Sequence, residues 1–231
     1  MADLAALTKR NAARWANASL TRAAELKPVA SRLVAAKARY QAVSAKTGVP
    51  WFVIACIHER ESSQSWSKSL AQGDPWNRVS THVPKGRGPF NSWEEAAIDA
   101  LVACHPYLAK WKDWSVGGTL TAWETYNGVG YANRGMASPY LWAGTNQYSA
   151  GKYVADGVFD PNYVDKQLGC AGMVKAMMQI DPSINFGGVA KPPLDPPPGA
   201  TPVPPAQPAP KPSIWAAFLS LLSSIFKRSA K

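Results

Sequence analysis

The residues best suited to chemistry sit in one short run, Ile57-His58-Glu59-Arg60-Glu61-Ser62. It closes an otherwise apolar stretch opening at Pro50, in which carboxylates are costly to bury. Helical spacing puts Trp51, Ile54, Ile57, His58 and Glu61 on one face. Glu61 then leaves the core near a helix C-terminus, at the edge of an irregular segment. Partial burial disfavours the carboxylate anion, and the negative end of the helix dipole acts the same way. A glutamic acid kept protonated near neutral pH is what a glycosidase needs to protonate a leaving oxygen. The alternative is a surface ion pair with Arg60 or a more distant arginine.

Other chemistries find less support. A zinc metalloprotease needs a second histidine four residues after His58, and Ser62 stands there. The remaining histidines, His82 and His105, add no zinc-ligand spacing. His58, one turn before Glu61, reads as a structural partner. The Gly-x-Ser-x-Gly of a serine nucleophile and a phosphate-binding glycine loop are both missing from the sequence. No metal or other cofactor is expected. Cys56, Cys104 and Cys170 form no Cys-x-x-Cys pair, and each sits among apolar residues, as reduced, buried thiols do.

These side chains must be held by helices. Residues 3–47 are rich in alanine and leucine, and glycine first occurs at Gly48. They read as two or three helical segments. Pro28 fits the first turn of a helix running towards Lys46, and Thr47-Gly48 ends it. Pro50 opens the helix that carries Glu61. From Ser63 to Pro89, glycines and prolines break any long helix, and Arg78-Val79-Ser80-Thr81-His82-Val83 fits a short strand or extended loop. Ser92 and Glu95 form a capping box for a helix towards His105. Another helix runs from about Thr119 to Asn127 and stops at Gly128. An irregular stretch follows as far as Gly157. Asp160-Pro161 then starts a helix with Val164, Leu168, Ala171 and Met178 inward, ended by Asp181-Pro182.

The order of an apolar helix, Glu61-Ser62, a broken segment, and a later helix ending in Trp123-Glu124-Thr125-Tyr126-Asn127-Gly128 resembles the lysozyme-like superfamily. It is closest in style to lytic transglycosylases, goose-type lysozymes and phage endolysins. Tyr153-Val154 matches a further Tyr-Val of the transglycosylases. Their Gly-Leu-Met-Gln-Ile segment is replaced here by Ala71-Gln72-Gly73-Asp74-Pro75-Trp76. That segment, Thr81-His82-Val83-Pro84 and Ser138-Pro139-Tyr140-Leu141-Trp142-Ala143-Gly144-Thr145 look like a phage endolysin subgroup. The resemblance covers about residues 48–182.

It implies a mainly α, lysozyme-like α+β fold, with a small loop or β segment lining a cleft. The implied reaction is cleavage of the β-1,4 bond between N-acetylmuramic acid and N-acetylglucosamine in peptidoglycan. Glu61 would be the catalytic acid. Asp74, or its rival Glu124, would stabilise the cation or orient water, with Thr81 helping to hold that water. Asp74 could equally make a turn between Gly73 and Pro75. Trp76, Tyr126, Asn127, Tyr140 and Trp142 would contact sugar. A lytic transglycosylase, which leaves an anhydro sugar and needs no second carboxylate, is the alternative. So, from a different class, is a membrane-permeabilising protein with a non-catalytic wall-binding domain.

With 231 residues, the chain is long enough for one domain and an appendage. We expect a catalytic domain over 1–187, in which residues 1–47 form a helical segment and residues 48–187 carry the motifs. A proline-rich, semi-rigid linker over 188–212 and an apolar helix over 213–231 follow. The tail block 214–226 ends in Lys227, Arg228 and Lys231. As a helix it would span about 20 Å at roughly 1.5 Å per residue. A bilayer core is about 30 Å thick, so the block suits insertion at a membrane surface. The net charge of +10 draws the protein to polyanions. No run of basic residues reads as a nucleic-acid motif, so we expect no nucleic-acid partner. The expected partners are peptidoglycan and anionic bacterial membrane, with the chain a monomer. The N-terminal residues do not resemble a secretory signal. Synthesis in the host bacterial cytoplasm and action on the periplasmic wall follow from that reading.

Overall fold

The computed structural model describes residues 3–155 and 157–187. The expected linker and tail over 188–231 lie outside the described residues. Among the described residues the fold is mainly helical, with one small antiparallel hairpin.

Residues 3–47 hold three helices: α1 (Leu4–Ala16), α2 (Ala23–Ala35) and α3 (Lys37–Thr47). Pro28 lies inside α2 rather than opening a helix, and the chain turns at Ala36 instead of running straight to Lys46. The reason is packing. Leu26, Val29, Ala30 and Leu33 are buried, and α2 lies on the helix over Cys170–Ile180, whereas α3 turns onto the helices over Trp51–Ser62 and Trp93–Val102. Gly48 ends α3 with a left-handed φ of 73°, a conformation that favours glycine.

Helix α4 (Trp51–Ser62) runs through the centre, and residues 52–58 are all buried. Helix α5 (Trp93–Val102) starts at Ser92, whose hydroxyl accepts the Glu95 amide at 3.1 Å. Glu95 returns its carboxylate to the Asn91 amide, so the box closes one residue early. Helix α6 (Val116–Asn127) stops at Gly128, as its sequence predicts. Two short helices follow, α7 (Gly130–Asn133) and α8 (Pro139–Trp142).

The expected helix from Asp160-Pro161 does not form. Asp160 instead ends the hairpin of β1 (Lys152–Ala155) and β2 (Val158–Asp160), and its carboxylate accepts the Asn162 amide at 2.8 Å. Val164 is exposed, and α9 (Cys170–Ile180) begins only after Gly169. A side chain at Gly169 would put Cβ 2.3 Å from the Leu141 carbonyl oxygen, so only glycine allows this approach to α8. Arg78 to Val83 is loop, not strand. Among the described residues no helix is long and apolar enough to cross a membrane.

The core is one aromatic-rich cluster. Trp93, Trp123 and Trp142 are fully buried in it, together with much of α4 and α9. Cys56, Cys104 and Cys170 are all buried, and none is in a disulfide.

Candidate active site

Helix α4 delivers Glu61 in its last turn, and the chain then reverses sharply. Ser63 and Gln64 both adopt left-handed φ, 54° and 58°. Their amides return to the Glu59 and His58 carbonyls at 2.9 and 3.2 Å, satisfying acceptors at the helix end. His58 fixes the next residues from inside. Its Nε2–H donates to the Ser65 carbonyl at 3.0 Å, because a carbonyl only accepts. Its Nδ1 then accepts from the Tyr40 hydroxyl at 3.0 Å. Burial among Tyr40, Trp66 and Trp93 pushes the imidazole pKa down to about 4, so His58 is a neutral strut below Glu61. This is the structural role that its position predicts.

The Glu61 carboxyl is half-buried. Its Oε1 accepts a hydrogen bond from the Tyr140 hydroxyl on α8 at 2.9 Å. Tyr126, near the end of α6, lies close enough for its phenol to feel the Glu61 charge, and donates to the Leu70 carbonyl at 2.9 Å. Burial, then the charge of Glu61, holds both phenols well above their usual range. Asn127 follows Tyr126. It is 8% exposed, and its Oδ1 is buried without a hydrogen-bond partner. The structure thus gathers Glu61, Tyr126 and Tyr140, drawn from three helices, and leaves Asn127 at the head of a glycine-rich turn.

Asp74 stands in the broken segment as a turn-maker. Its Oδ2 accepts the Thr81 and His82 amides at 2.9 and 3.0 Å, and its Oδ1 accepts the His82 ring N–H at 2.6 Å. Desolvation raises its pKa, but the His82 and Thr81 donors outweigh it and hold the carboxyl below its ordinary range. Thr81 is exposed and serves here through its backbone. Gly73 turns this loop beside the Glu61 carbonyl at the end of α4 with a left-handed φ of 68°, a conformation that favours glycine.

Several expected roles need correction. Glu124 does not face the Glu61 site: it is 1% exposed and points at α1, where Asn11 donates to it at 3.1 Å. Trp142 has no exposed surface at all and is a core residue, so it offers no ring face to a sugar. Tyr140, 1% exposed, also lacks a free face; its hydroxyl serves Glu61 instead. Trp76 is half-buried, with its indole N–H on the Trp66 carbonyl at 2.8 Å, and keeps some of its ring accessible.

Sequence reasoning names Arg60 only as an alternative surface partner of Glu61; the structure buries it and pairs it with Asp165, which the sequence did not single out. The two form an ion pair at 3.2 Å whose side chains are 3% and 1% exposed. Asp165 sits in a segment that the sequence presents as helical, and no local signal links it to Arg60.

Two open cavities lie elsewhere. One of about 450 Å³ is lined by Trp15, Leu20, Lys175 and Met178, and one of about 240 Å³ lies at the opposite end of α4, beside Pro50, Trp51 and Trp114. Neither contains Glu61, and neither brings together an acid, a base and a nucleophile. Among the described residues no group of three or more His, Cys, Asp or Glu side chains is placed to hold a metal ion.

No family model, curated protein or solved structure matches this chain.

Proposed function

We propose that the chain is a lysozyme-like glycosidase that degrades peptidoglycan. It cleaves the β-1,4 bond between N-acetylmuramic acid and N-acetylglucosamine, with Glu61 as general acid. The observation that carries this reading is the pair Glu61–Tyr140: a half-buried carboxyl at the end of an apolar helix, oriented by a buried phenol. Glu61 in its protonated form gives its proton to the glycosidic oxygen as the C–O bond breaks. The positive charge left on the muramic acid ring is then quenched either by water or by a hydroxyl of the same sugar. Of the residues expected to contact sugar, Trp76 keeps part of its ring accessible to the glycan.

The engagement of Asp74 favours the second route. Both its oxygens are taken by loop donors, and Glu124 is turned away between α1 and α6. A mechanism with one carboxylate and an intramolecular nucleophile, as in lytic transglycosylases, needs neither. The sequence adds an endolysin context: a basic chain, a proline-rich linker over 188–212 and a short apolar tail with Lys227, Arg228 and Lys231. We assign the tail to anionic bacterial membrane, and the domain to the periplasmic wall after synthesis in the host cytoplasm.

The test is Glu61→Gln on purified peptidoglycan. General acid catalysis contributes roughly 10²–10⁴-fold, and the variant should lose that much while folding normally. Solubilisation at near the wild-type rate refutes the assignment. Mass spectrometry of the wild-type products separates the routes, since anhydro ends mark the intramolecular nucleophile and reducing ends mark water.

A further inference from the structure

Arg60 and Glu61 are consecutive on α4, and both reach Tyr140. Glu61 accepts from its hydroxyl at 2.9 Å, while the Arg60 guanidinium lies 4.7 Å from its ring centroid. Arg60 is almost fully buried, which is unfavourable for a guanidinium unless it is paired. Asp165 supplies the pair at 3.2 Å, and the Leu168 carbonyl accepts a further N–H at 3.3 Å. Asp165 is itself held by Lys152 of β1 at 2.8 Å and by the Gln167 amide at 3.1 Å. A cation set against an aromatic ring restrains that ring. The result is a continuous chain of contacts from the hairpin, through Asp165, Arg60 and Tyr140, to the carboxyl of Glu61.

We propose that Arg60 and Asp165 are positioning residues for Glu61: their buried pair fixes the ring of Tyr140, and that ring fixes the carboxyl through its hydroxyl. The proposal rests on the reading of Glu61 as the catalytic acid. Tyr126 of α6, Cys170 at the start of α9 and Arg60 are the ionisable groups whose charges meet Tyr140 beside Glu61. The neighbouring carboxylate, Glu59, is paired with Arg32 of α2, and His58 faces Tyr40 of α3. A hydroxyl donating to a carboxyl favours its ionised form. Losing or misplacing that hydroxyl therefore raises the Glu61 midpoint and extends activity to higher pH, while the poorly oriented acid turns over more slowly.

The experiment is a double-mutant cycle read on the Glu61 carboxyl by ¹³C NMR titration of the full chain. The four proteins are wild type, Tyr140→Phe, Asp165→Asn and the double variant. Tyr140→Phe should raise the midpoint by about one pH unit, the difference between a charged and a neutral hydrogen bond. Asp165→Asn should raise it in the wild-type background and fail to raise it in the Tyr140→Phe background. Removing the Asp165 charge by itself lowers the midpoint through space, in both backgrounds. A rise that disappears with the Tyr140 hydroxyl is thus the mark of positioning. Equal shifts in the two backgrounds, or no shift in either, overturn the proposal. On soluble peptidoglycan fragments the same variants should lose about tenfold in kcat with little change in KM, a split expected of a transition-state effect. If Asp165→Asn does not fold, Arg60→Lys replaces it in the cycle, because it keeps the charge and gives up the planar contact. Activity surviving Glu61→Gln would sink the catalytic reading instead, independently of the titration.

Discussion

Asn11 on α1 donates to the Glu124 carboxyl on α6 at 3.1 Å, and the other oxygen of that carboxyl is buried with no hydrogen-bond partner. The N-terminal helix therefore lies over an acid that is poorly satisfied as an anion. Desolvation raises the Glu124 pKa from 4.5 to about 7, against the lowering effects of Asn11 and the more distant Arg10 and Arg14. The folded chain keeps this proton to higher pH than the unfolded chain does.

Stability should consequently fall as pH rises from about 4.5 to 7, with the loss complete above that window. Its size is about 3 kcal/mol as an order of magnitude, at about 1.4 kcal/mol per pH unit. Glu124→Gln removes the titration. It should stabilise the protein at pH 8 and change little at pH 4, as read from urea midpoints. The same stability difference at both pH values would show that Glu124 titrates alike in the folded and unfolded chain, and would overturn the raised pKa.

The α1–α6 interface also makes a steric prediction. A Cβ at Gly117 would lie 2.6 Å from the Thr8 carbonyl oxygen and 3.3 Å from the Ala12 methyl. The obstacle at Thr8 is backbone, so α1 itself must lift. Gly117→Ala should cost about 1–3 kcal/mol, typical of overpacking, despite its better helix propensity. Hydrogen exchange should localise the loss to residues 4–16. A variant as stable as wild type, or more so, contradicts the tight contact.

Asp74→Asn separates loop-building from catalysis. The amide puts a donor where the carboxylate accepts from Thr81 and His82, so a loss of about 1–3 kcal/mol in stability is expected. Peptidoglycan turnover at a temperature where the variant is folded should stay within about tenfold of wild type. A folded variant with a hundredfold or larger deficit would restore Asp74 to the chemistry and favour hydrolysis by water.

The tail prediction rests on sequence. Removing residues 188–231 should leave turnover of isolated peptidoglycan unchanged and weaken binding to anionic vesicles, most visibly at low salt. Equal vesicle binding by both forms removes the membrane role.

Much of the frame was legible in local signals. Gly48, Pro50, Ser92 and Gly128 mark helix ends by their own backbone or side-chain chemistry, and each marks one here. The segment after Asp160 misled because its apolar spacing mimics a helix. In the fold, Asp165 is bound by Arg60 and Lys152, and those tertiary contacts outweigh local preference. The hairpin did carry a signal that periodicity alone passes over: Asp156-Gly157 between Tyr153 and Phe159, a turn dipeptide between strand formers. At the candidate site, Glu61 draws attention in the sequence because a carboxylate in an apolar helix is conspicuous. Its partner is not. Tyr140 lies 79 residues away, and its Tyr-Leu-Trp surroundings read as ring faces for sugar when the rings are in fact packed inside. Glu124 was misread for a related reason: its place near Tyr126 on α6 gives no hint that it faces α1.

The placement of the three thiols bears on where this protein can work. Cys56 and Cys170 have no exposed surface, and Cys104 has 3%. Burial, then the neighbouring Cys170, pushes the Cys56 thiol pKa well above its ordinary value, leaving little of the nucleophilic thiolate. Thiol–disulfide exchange requires both thiolate and access, and the folded domain withholds both at Cys56. In the folded domain Cys56 should therefore stay a thiol in reducing and oxidising surroundings alike, whatever the redox poise it meets.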